Sequence, residues 1–256
     1  MDLGLSIAAS ALGATEQGVA IYANDLANAN TTAFAQATPL FAGLPATSAT
    51  NAATVPLATG AAPAISLGSG SELVAADVTD SGQSLEETGI GSDVALQGPG
   101  YFALQTAAGP AYTRDGAFGV DAAGNLVSQS GAIVLSAQGQ PISVGKATSA
   151  EVRITASGSV LAGATPVAQI GVASFPNPAG LVPIGQNAYV AGPDSGPATL
   201  GGLPAGTSLV PGALATSGTD VAGSLTGLIT LERSFQLDTK VLSQASQMMD
   251  WAASMA

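Results

Sequence analysis

The sequence predicts an α+β fold in which long N- and C-terminal helices form a coiled-coil-like domain and an antiparallel β-rich domain is inserted between them. Near both ends of the 256-residue chain, large apolar residues recur at intervals of seven. In the middle, short apolar runs alternate with turn residues such as the Gly-Pro-Gly segment at 98–100. A seven-residue interval is typical of long packed helices, and short punctuated apolar runs are typical of antiparallel strands.

Residues 1–35 are predicted to form the N-terminal helix of an inner helical domain. One apolar stripe runs along this helix and consists of Leu5, Leu12, Val19 and Leu26. The helix also contains Gly13 and Gly18, and a glycine inside a helix costs about 1 kcal/mol relative to alanine. We therefore expect the helix to depend on packing partners for its stability.

Residues 36–70 are predicted to be a connector. The segment is rich in Ala, Thr, Pro and Gly and contains no charged residue, which is typical of a flexible linker. An extended arm or hairpin that becomes ordered against neighbouring subunits is the alternative interpretation.

Residues 71–211 are predicted to form the β-rich outer domain. Apolar runs at 93–97 and 101–104 have the length of strands, and turn residues at 98–100 and 121–125 punctuate the segment. We expect the aromatic residues of these runs to form the core of the domain rather than a ligand site.

Residues 212–256 are predicted to form the C-terminal helix of the inner helical domain. Its apolar stripe consists of Val221, Leu228, Phe235, Leu242 and Met249. At 1.5 Å per residue this stripe is about 42 Å long, which is more than a compact domain of the intervening length needs for its own core. We therefore expect the two terminal stripes to be buried against each other and against other copies of the chain.

The composition excludes most kinds of chemical site. The chain has no Cys and no His, so it cannot build a disulfide, a thiolate nucleophile, an imidazole base or a Cys/His zinc site. With 5 basic and 17 acidic residues and a net charge of −12, it lacks the clustered cations that nucleic-acid binding requires. The sequence therefore predicts no cofactor, no metal site and no nucleic-acid partner.

The sequence also predicts no membrane span, because a span needs about 18 or more consecutive apolar residues and no such run occurs. The first basic residue is Arg114, so the N-terminus lacks the positive region of a conventional secretory leader. We expect any export of the chain to proceed without a cleaved signal peptide.

Three segments resemble sequence blocks of the bacterial flagellar axial proteins of the rod and hook. Residues 23–34 (ANDLANANTTAF) are similar to the A-N-N-L-A-N-x-x-T-x-G-F-K signature of that family. Residues 93–102 (DVALQGPGYF) and 111–127 (AYTRDGAFGVDAAGNLV) are similar to two blocks of its β domain. All three segments occur in the order that the family has.

The resemblance carries a set of motif positions over to this chain, namely Asn24, Leu26, Asn28, Thr31, Phe34, Gly98, Gly100, Phe102, Tyr112, Arg114, Gly116, Phe118, Asp121 and Gly124. The chain departs from the signature where Asp25 replaces an Asn and Ala33 replaces a Gly. It also has Ala35 and Gln36 where a basic residue is usual.

The resemblance implies a structural, non-enzymatic subunit of the flagellar rod that self-assembles into a helical tube and transmits torque from the motor to the hook. A length of 256 residues fits the distal rod members, with the proximal rod members as the alternative. The implied partners are other copies of the chain, other rod proteins, the hook protein, the surrounding P and L rings and the flagellar type III export apparatus. The implied location is the flagellar basal body, where the rod spans the periplasm.

Two interpretations from other classes compete with this one. A secreted β-rich adhesin or binding module would explain the middle of the chain but not the matched stripes at both ends. An acid hydrolase would need paired carboxylates such as Glu86 with Glu87 or Asp77 with Asp80, held across a cleft. No aromatic platform for a sugar accompanies these residues in the sequence.

Overall fold

The computed structural model describes residues 2–44, 47–48, 66–67, 71–79, 84–145 and 147–255. In this part of the chain the helices are α1 (Asp2–Ala27), α2 (Val221–Ser254) and a short 3-10 helix (Pro178–Gly180). The strands are β1 (Gln36–Gly43), β2 (Thr47–Ser48), β3 (Ser66–Leu67), β4 (Ser71–Thr79), β5 (Leu85–Glu87), β6 (Val94–Gln97), β7 (Tyr101–Thr106), β8 (Gly109–Thr113), β9 (Phe118–Val120), β10 (Leu126–Ser128), β11 (Ile133–Val134), β12 (Val152–Ile154), β13 (Ser159–Ala162), β14 (Thr165–Gln169), β15 (Val172–Ser174), β16 (Leu181–Gly185), β17 (Ala188–Ala191), β18 (Thr199–Gly201), β19 (Ser208–Pro211) and β20 (Ala213–Ala215).

The chain divides into two compact units. Unit 1 comprises residues 1–27, 37–78 and 220–256, and unit 2 comprises residues 28–36 and 79–219. Unit 1 therefore contains α1 and α2, and unit 2 contains most of the strands. Among the described residues, neither long helix has the length and apolarity that crossing a membrane requires.

Unit 2 is built on a nine-stranded sheet with the strand order β16-β17-β8-β7-β11-β10-β9. β15 also pairs with β7, and β18 pairs with the other side of β15. The pairings within this sheet are antiparallel. A three-stranded sheet (β12-β13-β14) and the pairs β19-β6 and β20-β5 complete the unit. Strand β7 is central because it holds three neighbours at once.

The core of unit 2 surrounds one aromatic pair. The rings of Phe102 and Phe118 meet edge to face, with centroids 5.2 Å apart. Almost completely buried aliphatic side chains pack around them, namely Val94, Leu104, Leu126, Val134, Ile142, Val152, Val160, Ile170 and Val172. Because successive residues of a strand point to opposite faces, Ala103 belongs instead to a second, smaller cluster with Tyr112. The expectation that aromatic residues form the core of this region agrees with these contacts.

In unit 1, α1 and α2 pack as an antiparallel pair. Gly18 lies against Leu231, whereas Tyr22, four residues later in α1, lies against Gly227, four residues earlier in α2. A β-carbon at Gly18 would be 2.7 Å from Leu231 Cδ1, and one at Gly227 would be 2.5 Å from Tyr22 Cζ. Each of these glycines is therefore a notch that receives a side chain of the opposite helix.

Strands β1 and β4 pair as a two-stranded ribbon, and β2 pairs with β3. Phe41 of β1 packs against α1, because its Cζ atom would be 2.7 Å from a β-carbon at Gly18. Residues 36–43 are thus a strand, although their composition predicts a flexible linker. The remaining predicted connector residues at 45–46, 49–65 and 68–70 lie outside the described residues.

The prediction that long terminal helices form a coiled-coil-like domain is wrong. The described residues contain one long helix at each end of the chain, and these two form a single pair. In a coiled coil, the large residues at seven-residue intervals are buried as knobs between the helices. The residues buried in this pair are instead small or polar, namely Ala14, Gly18, Asp25 and Ser224. The large stripe residues among those described are at most half-buried, and the tightest contacts of the pair are at the two glycine notches.

The notch interpretation predicts opposite effects for two alanine substitutions in α1. Gly13 has no atom within 4 Å of the position that a β-carbon would occupy, so Gly13→Ala raises the free energy of unfolding by about 0.5–1 kcal/mol through helix propensity. Gly18→Ala gains the same helix propensity but forces the ends of the Leu231 and Phe41 side chains to move. Overpacking of this kind costs about 1–3 kcal/mol, so the free energy of unfolding should fall below that of the wild type. Urea unfolding followed by helical circular dichroism measures both changes, and an equal gain for both variants would contradict the notch.

Candidate assembly surface

The stripe residues that the sequence predicts to pack between subunits are only partly covered in the single chain. Those that are half-buried are Leu12, Val19, Leu26, Leu228, Phe235 and Leu242. Val221 is 41% exposed. The side chains of Leu5 and Met249 lie outside the described residues.

A second row of large apolar residues on α2, which shares Val221 with the stripe, is exposed to solvent. Five side chains in this row are between 41% and 64% exposed, namely Val221, Leu225, Ile229, Leu237 and Val241. Residues four apart are neighbours on a helix surface, so these five follow one row, the α2 ridge, in which Arg233 takes the remaining position. Four residues turn an α-helix by about 400°, so the ridge moves about 40° around α2 at each step, and its centre is Ile229, Arg233 and Leu237. Several large apolar side chains exposed in one row are typical of a site of protein association. Its sequence signal is a four-residue spacing, which the seven-residue interval obscures.

Residues 28–36, which follow α1, are anchored in unit 2. The Thr32 hydroxyl donates to Asp115 Oδ1 at 2.9 Å, and Asn187 Nδ2 donates to the Thr32 carbonyl at 2.6 Å. The bond to Asp115 joins the N-terminal family block to the β-domain block around Arg114. Burial raises the pKa of the Asp115 carboxyl above its ordinary value, against the lowering effect of hydrogen bonds from Ala117 and Thr32.

The chain segments that connect unit 2 to the two helices also bind each other. The Ala33 amide donates to the Ala215 carbonyl at 2.9 Å, and the Gly218 amide donates to the Phe34 carbonyl at 2.9 Å. Within residues 28–36, Thr31 Oγ1 donates to Asn28 Oδ1 at 3.1 Å. Asn28 and Thr31 therefore bind each other through their side chains, and Phe34 takes part through its backbone carbonyl. Asn24 is exposed and Leu26 is half-buried in α1.

The carboxylate of Asp25 lies at a position that is unfavourable for a negative charge. Its side chain is buried in the last turn of α1, and Oδ1 accepts a hydrogen bond from the Ala37 amide at 3.2 Å. Burial raises the pKa of the Asp25 carboxyl, and the hydrogen bond from Ala37 lowers it by less. The negative charge also lies at the negative end of the helix dipole, where α1 has no basic residue. The Asn of the family signature would carry no such charge.

Ala33 is the second unfavourable departure from the signature. Its φ is +52°, in the left-handed region that costs L residues roughly 1–2 kcal/mol and that glycine adopts freely. Ala33 is also buried. The glycine of the family signature therefore suits this backbone better than the alanine that the chain has.

The motif positions of the β domain fall at turns and in the core. Arg114 Nη2 donates to the Gly98 carbonyl at 3.0 Å, and the guanidinium lies over the Tyr101 ring, 5.7 Å from its centroid. Gly100 is buried at the start of β7, and Gly116 is buried against the Val94 carbonyl. These residues fix the turn before β7 and the approach of the chain to β6.

The remaining motif positions are also structural. Tyr112 is buried in the second cluster, with its ring 4.8 Å from that of Phe175, edge to face. Phe102 and Phe118 form the aromatic pair of the main core. Between β9 and β10, Asp121 Oδ1 accepts from the Asn125 amide at 2.7 Å, and the Gly124 amide donates to the Asp121 carbonyl at 3.0 Å. The Asn125 hydrogen bond is the main cause that lowers the pKa of the Asp121 carboxyl.

The described residues contain no cluster of three or more acidic side chains that could hold a metal ion. Glu86 and Glu87 are exposed on β5. The side chain of Asp77 and the whole of Asp80 lie outside the described residues. The feature of the described residues that is suited to association is the exposed α2 ridge of unit 1.

Two family models match the chain. Residues 95–162 match the flagellar hook protein FlgE/F/G D1 domain, and residues 210–255 match the C-terminal region of the flagellar basal body rod FlgEFG proteins. The chain is 32% identical to the flagellar basal-body rod protein FlgG of Agrobacterium fabrum, over 95% of each chain. It is 30% identical to FlgG of Bacillus subtilis, over 90% of this chain and 89% of that protein.

The burial of Asp25 predicts a pH-dependent gain from Asp25→Asn, because Asn keeps the acceptor for Ala37 and removes the charge. The pKa of Asp25 is raised in the folded state, so burying its charge lowers the free energy of unfolding of the wild type. This loss is absent below the ordinary pKa of 3.8 and grows as pH rises through that value. The variant should therefore match the wild type in acid and be more stable at pH 7. Urea unfolding of dilute protein across this pH range measures the difference.

Asp121→Asn is the control, and its effect on stability should have the opposite sign, because the pKa of Asp121 is lowered in the folded state. That variant should be less stable than the wild type at pH 7, and its deficit should vanish as pH falls through the folded-state pKa. A gain from Asp25→Asn that is the same at every pH would show that the buried charge is not the cause.

The left-handed backbone at Ala33 predicts a difference between two Ala→Gly substitutions. Ala33 and Ala35 are both buried, but only Ala33 has a positive φ. Each substitution removes a buried methyl group and adds freedom to the unfolded chain, whereas only Ala33→Gly also relieves strain. The free energy of unfolding of Ala33→Gly should exceed that of Ala35→Gly by about 1–2 kcal/mol. Equal losses in chemical unfolding experiments would contradict strain at residue 33.

Proposed function

The chain belongs to the flagellar rod and hook family, within which it is most like the basal-body rod protein FlgG, and from this premise we propose that it assembles through unit 1 into a helical tube. It is a structural subunit of the flagellar rod and not an enzyme. Its place is the flagellar basal body.

The observation that carries the proposed assembly is the α2 ridge. Its five large apolar side chains are exposed in the single chain, and covering them removes apolar surface from water at a gain of roughly 25 cal/mol per Å². A tube requires contacts between unlike surfaces that do not close into a dimer. The helix pair supplies such surfaces, because the ridge belongs to α2 alone and α1 presents a different face.

In this proposal the two units have different structural roles. Unit 1 forms the inner, subunit-packing layer through the terminal helices, and unit 2 forms an outer layer that resists bending and twisting. The dense core of unit 2 and the hydrogen bonds that anchor residues 28–36 support a stiff element there. Torque from the motor would then pass to the hook through both layers. The domain division of the sequence analysis, 1–35, 36–70, 71–211 and 212–256, is part of this proposal.

The proposed position is the distal rod, because the rod relatives named above are FlgG proteins. The proposed neighbours are the proximal rod proteins on one side, the hook protein on the other and the P and L rings around the shaft as it spans the periplasm. Delivery through the flagellar type III export apparatus, without a cleaved signal peptide, completes the proposal. The family resemblance of the N-terminal segment supports these neighbours and this route.

Assembly through the α2 ridge predicts that Leu237→Gln weakens polymerisation. Leu237 is 64% exposed, so the substitution leaves the single chain folded and removes one apolar side chain from the contact. The concentration at half-assembly should rise by about tenfold or more, as measured by sedimentation and by electron microscopy of straight tubes. Val182→Gln, at a 46% exposed residue of β16, is the matched control and should assemble like the wild type. Equal assembly of both variants would refute a role for the ridge.

A further inference from the structure

The α2 ridge contains one charged position. Arg233 lies between Ile229 and Leu237 in the same four-residue row and is exposed. A cation in the middle of an apolar contact is costly unless the opposing surface supplies an anion. The occupant of the ridge must therefore be an apolar surface with an acidic side chain near its centre.

The outer face of α1 has this chemistry. Between residues 6 and 27, Glu16 is the single charged side chain that α1 exposes, since Asp25 is buried. The exposed neighbours of Glu16 on the same side of the helix are Ala9, Ala20, Ala23 and Ala27. These alanines leave the shallow surface into which a ridge of larger side chains on another helix can pack.

Glu16 and Arg233 cannot meet within one chain, although they lie at the same level of the helix pair. The contact of Gly18 with Leu231 sets this level, and Glu16 and Arg233 are each two residues away from it. Two residues along an α-helix correspond to a rotation of about 200°. Both side chains therefore point away from the other helix, in agreement with their exposure.

We propose that the α2 ridge of one copy packs against the outer face of α1 of the next copy, with Arg233 paired to Glu16 across the contact. A sideways step from one helix pair to the next brings these two residues together without a large shift along the helices, because they already share a level. The contact joins unlike surfaces, so it repeats from copy to copy. A ridge-to-ridge contact would instead close a twofold dimer and place Arg233 of one copy against Arg233 of the other, which like-charge repulsion opposes.

This inference rests on the proposed assembly through unit 1 and adds the identity of the two faces. The test is a charge exchange in the full-length protein. Arg233→Glu and Glu16→Arg should each raise the concentration at half-assembly by about tenfold, because each places like charges in contact. The double variant E16R/R233E should return assembly to within about twofold of the wild type. Arg153→Glu, which alters an exposed cation of β12 in unit 2, is the matched control and should assemble normally.

The outcomes separate the inference from the proposed function. Circular dichroism of dilute protein first establishes that each variant is folded. If tubes form but the double variant is no better than the single variants, or the single variants assemble normally, the pairing is wrong and assembly through unit 1 stands. If the wild type forms no tubes at any concentration, the proposed function fails and the pairing fails with it.

A second readout reports the contact directly. The chain has no cysteine, so Glu16→Cys and Arg233→Cys can be mixed as single variants under oxidising conditions. A disulfide between the two variants is expected at assembling concentrations. A chain that carries both cysteines should form no internal disulfide when dilute, because the two side chains point away from each other. Homodimers of Arg233→Cys in place of the mixed product would indicate the twofold contact and overturn the inference.

Discussion

The close approach of α1 and α2 at Gly18 and Gly227 is the constraint on which unit 1 depends. Gly18 receives the end of the Leu231 side chain, and Gly227 receives the ring of Tyr22. The pair covers Leu228, Phe235 and Leu242 of α2 only in part and leaves the five large side chains of the α2 ridge exposed. The helix pair therefore buries little apolar surface within a single chain. The apolar surface that it leaves exposed is available for contact with neighbouring copies.

The sequence predicted the location of the helices and of the strand-rich middle, but not the packed faces of the helices. The residues at seven-residue intervals, such as Leu12 and Leu228, suggest a buried stripe. Burial instead follows Ala14, Gly18 and Ser224, and the exposed row follows the spacing of Leu225, Ile229 and Leu237. Both spacings fit an α-helix. The choice between them depends on the opposite helix, which local periodicity does not contain.

The hydrogen bonds that anchor residues 28–36 in unit 2 could not be predicted from the sequence, for a different reason. The family blocks mark Thr31 and Arg114 as motif positions, yet the hydrogen bond that joins these blocks runs from Thr32 to Asp115, which are 83 residues apart. Asn187, which binds the Thr32 carbonyl, lies outside the motif segments. Tertiary hydrogen bonds of this kind leave no spacing in the sequence. The sequence shows that Asp25 and Ala33 depart from the family signature. That these departures are unfavourable to stability follows only from the burial of Asp25 and the φ of Ala33 in the structure.

The charge of the chain gives the single ion pair in the proposed contact a specific role. At −12, identical copies repel one another at long range, and this repulsion keeps dilute subunits apart. Assembly must then come from short-range burial of the α2 ridge, which is not directional. A contact between Arg233 and Glu16 adds less affinity than this apolar burial does. It makes unfavourable every alignment of the two helices in which either charge meets an apolar surface or a like charge. The apolar residues thus supply the strength of the contact, and the two charges select one alignment of the helices.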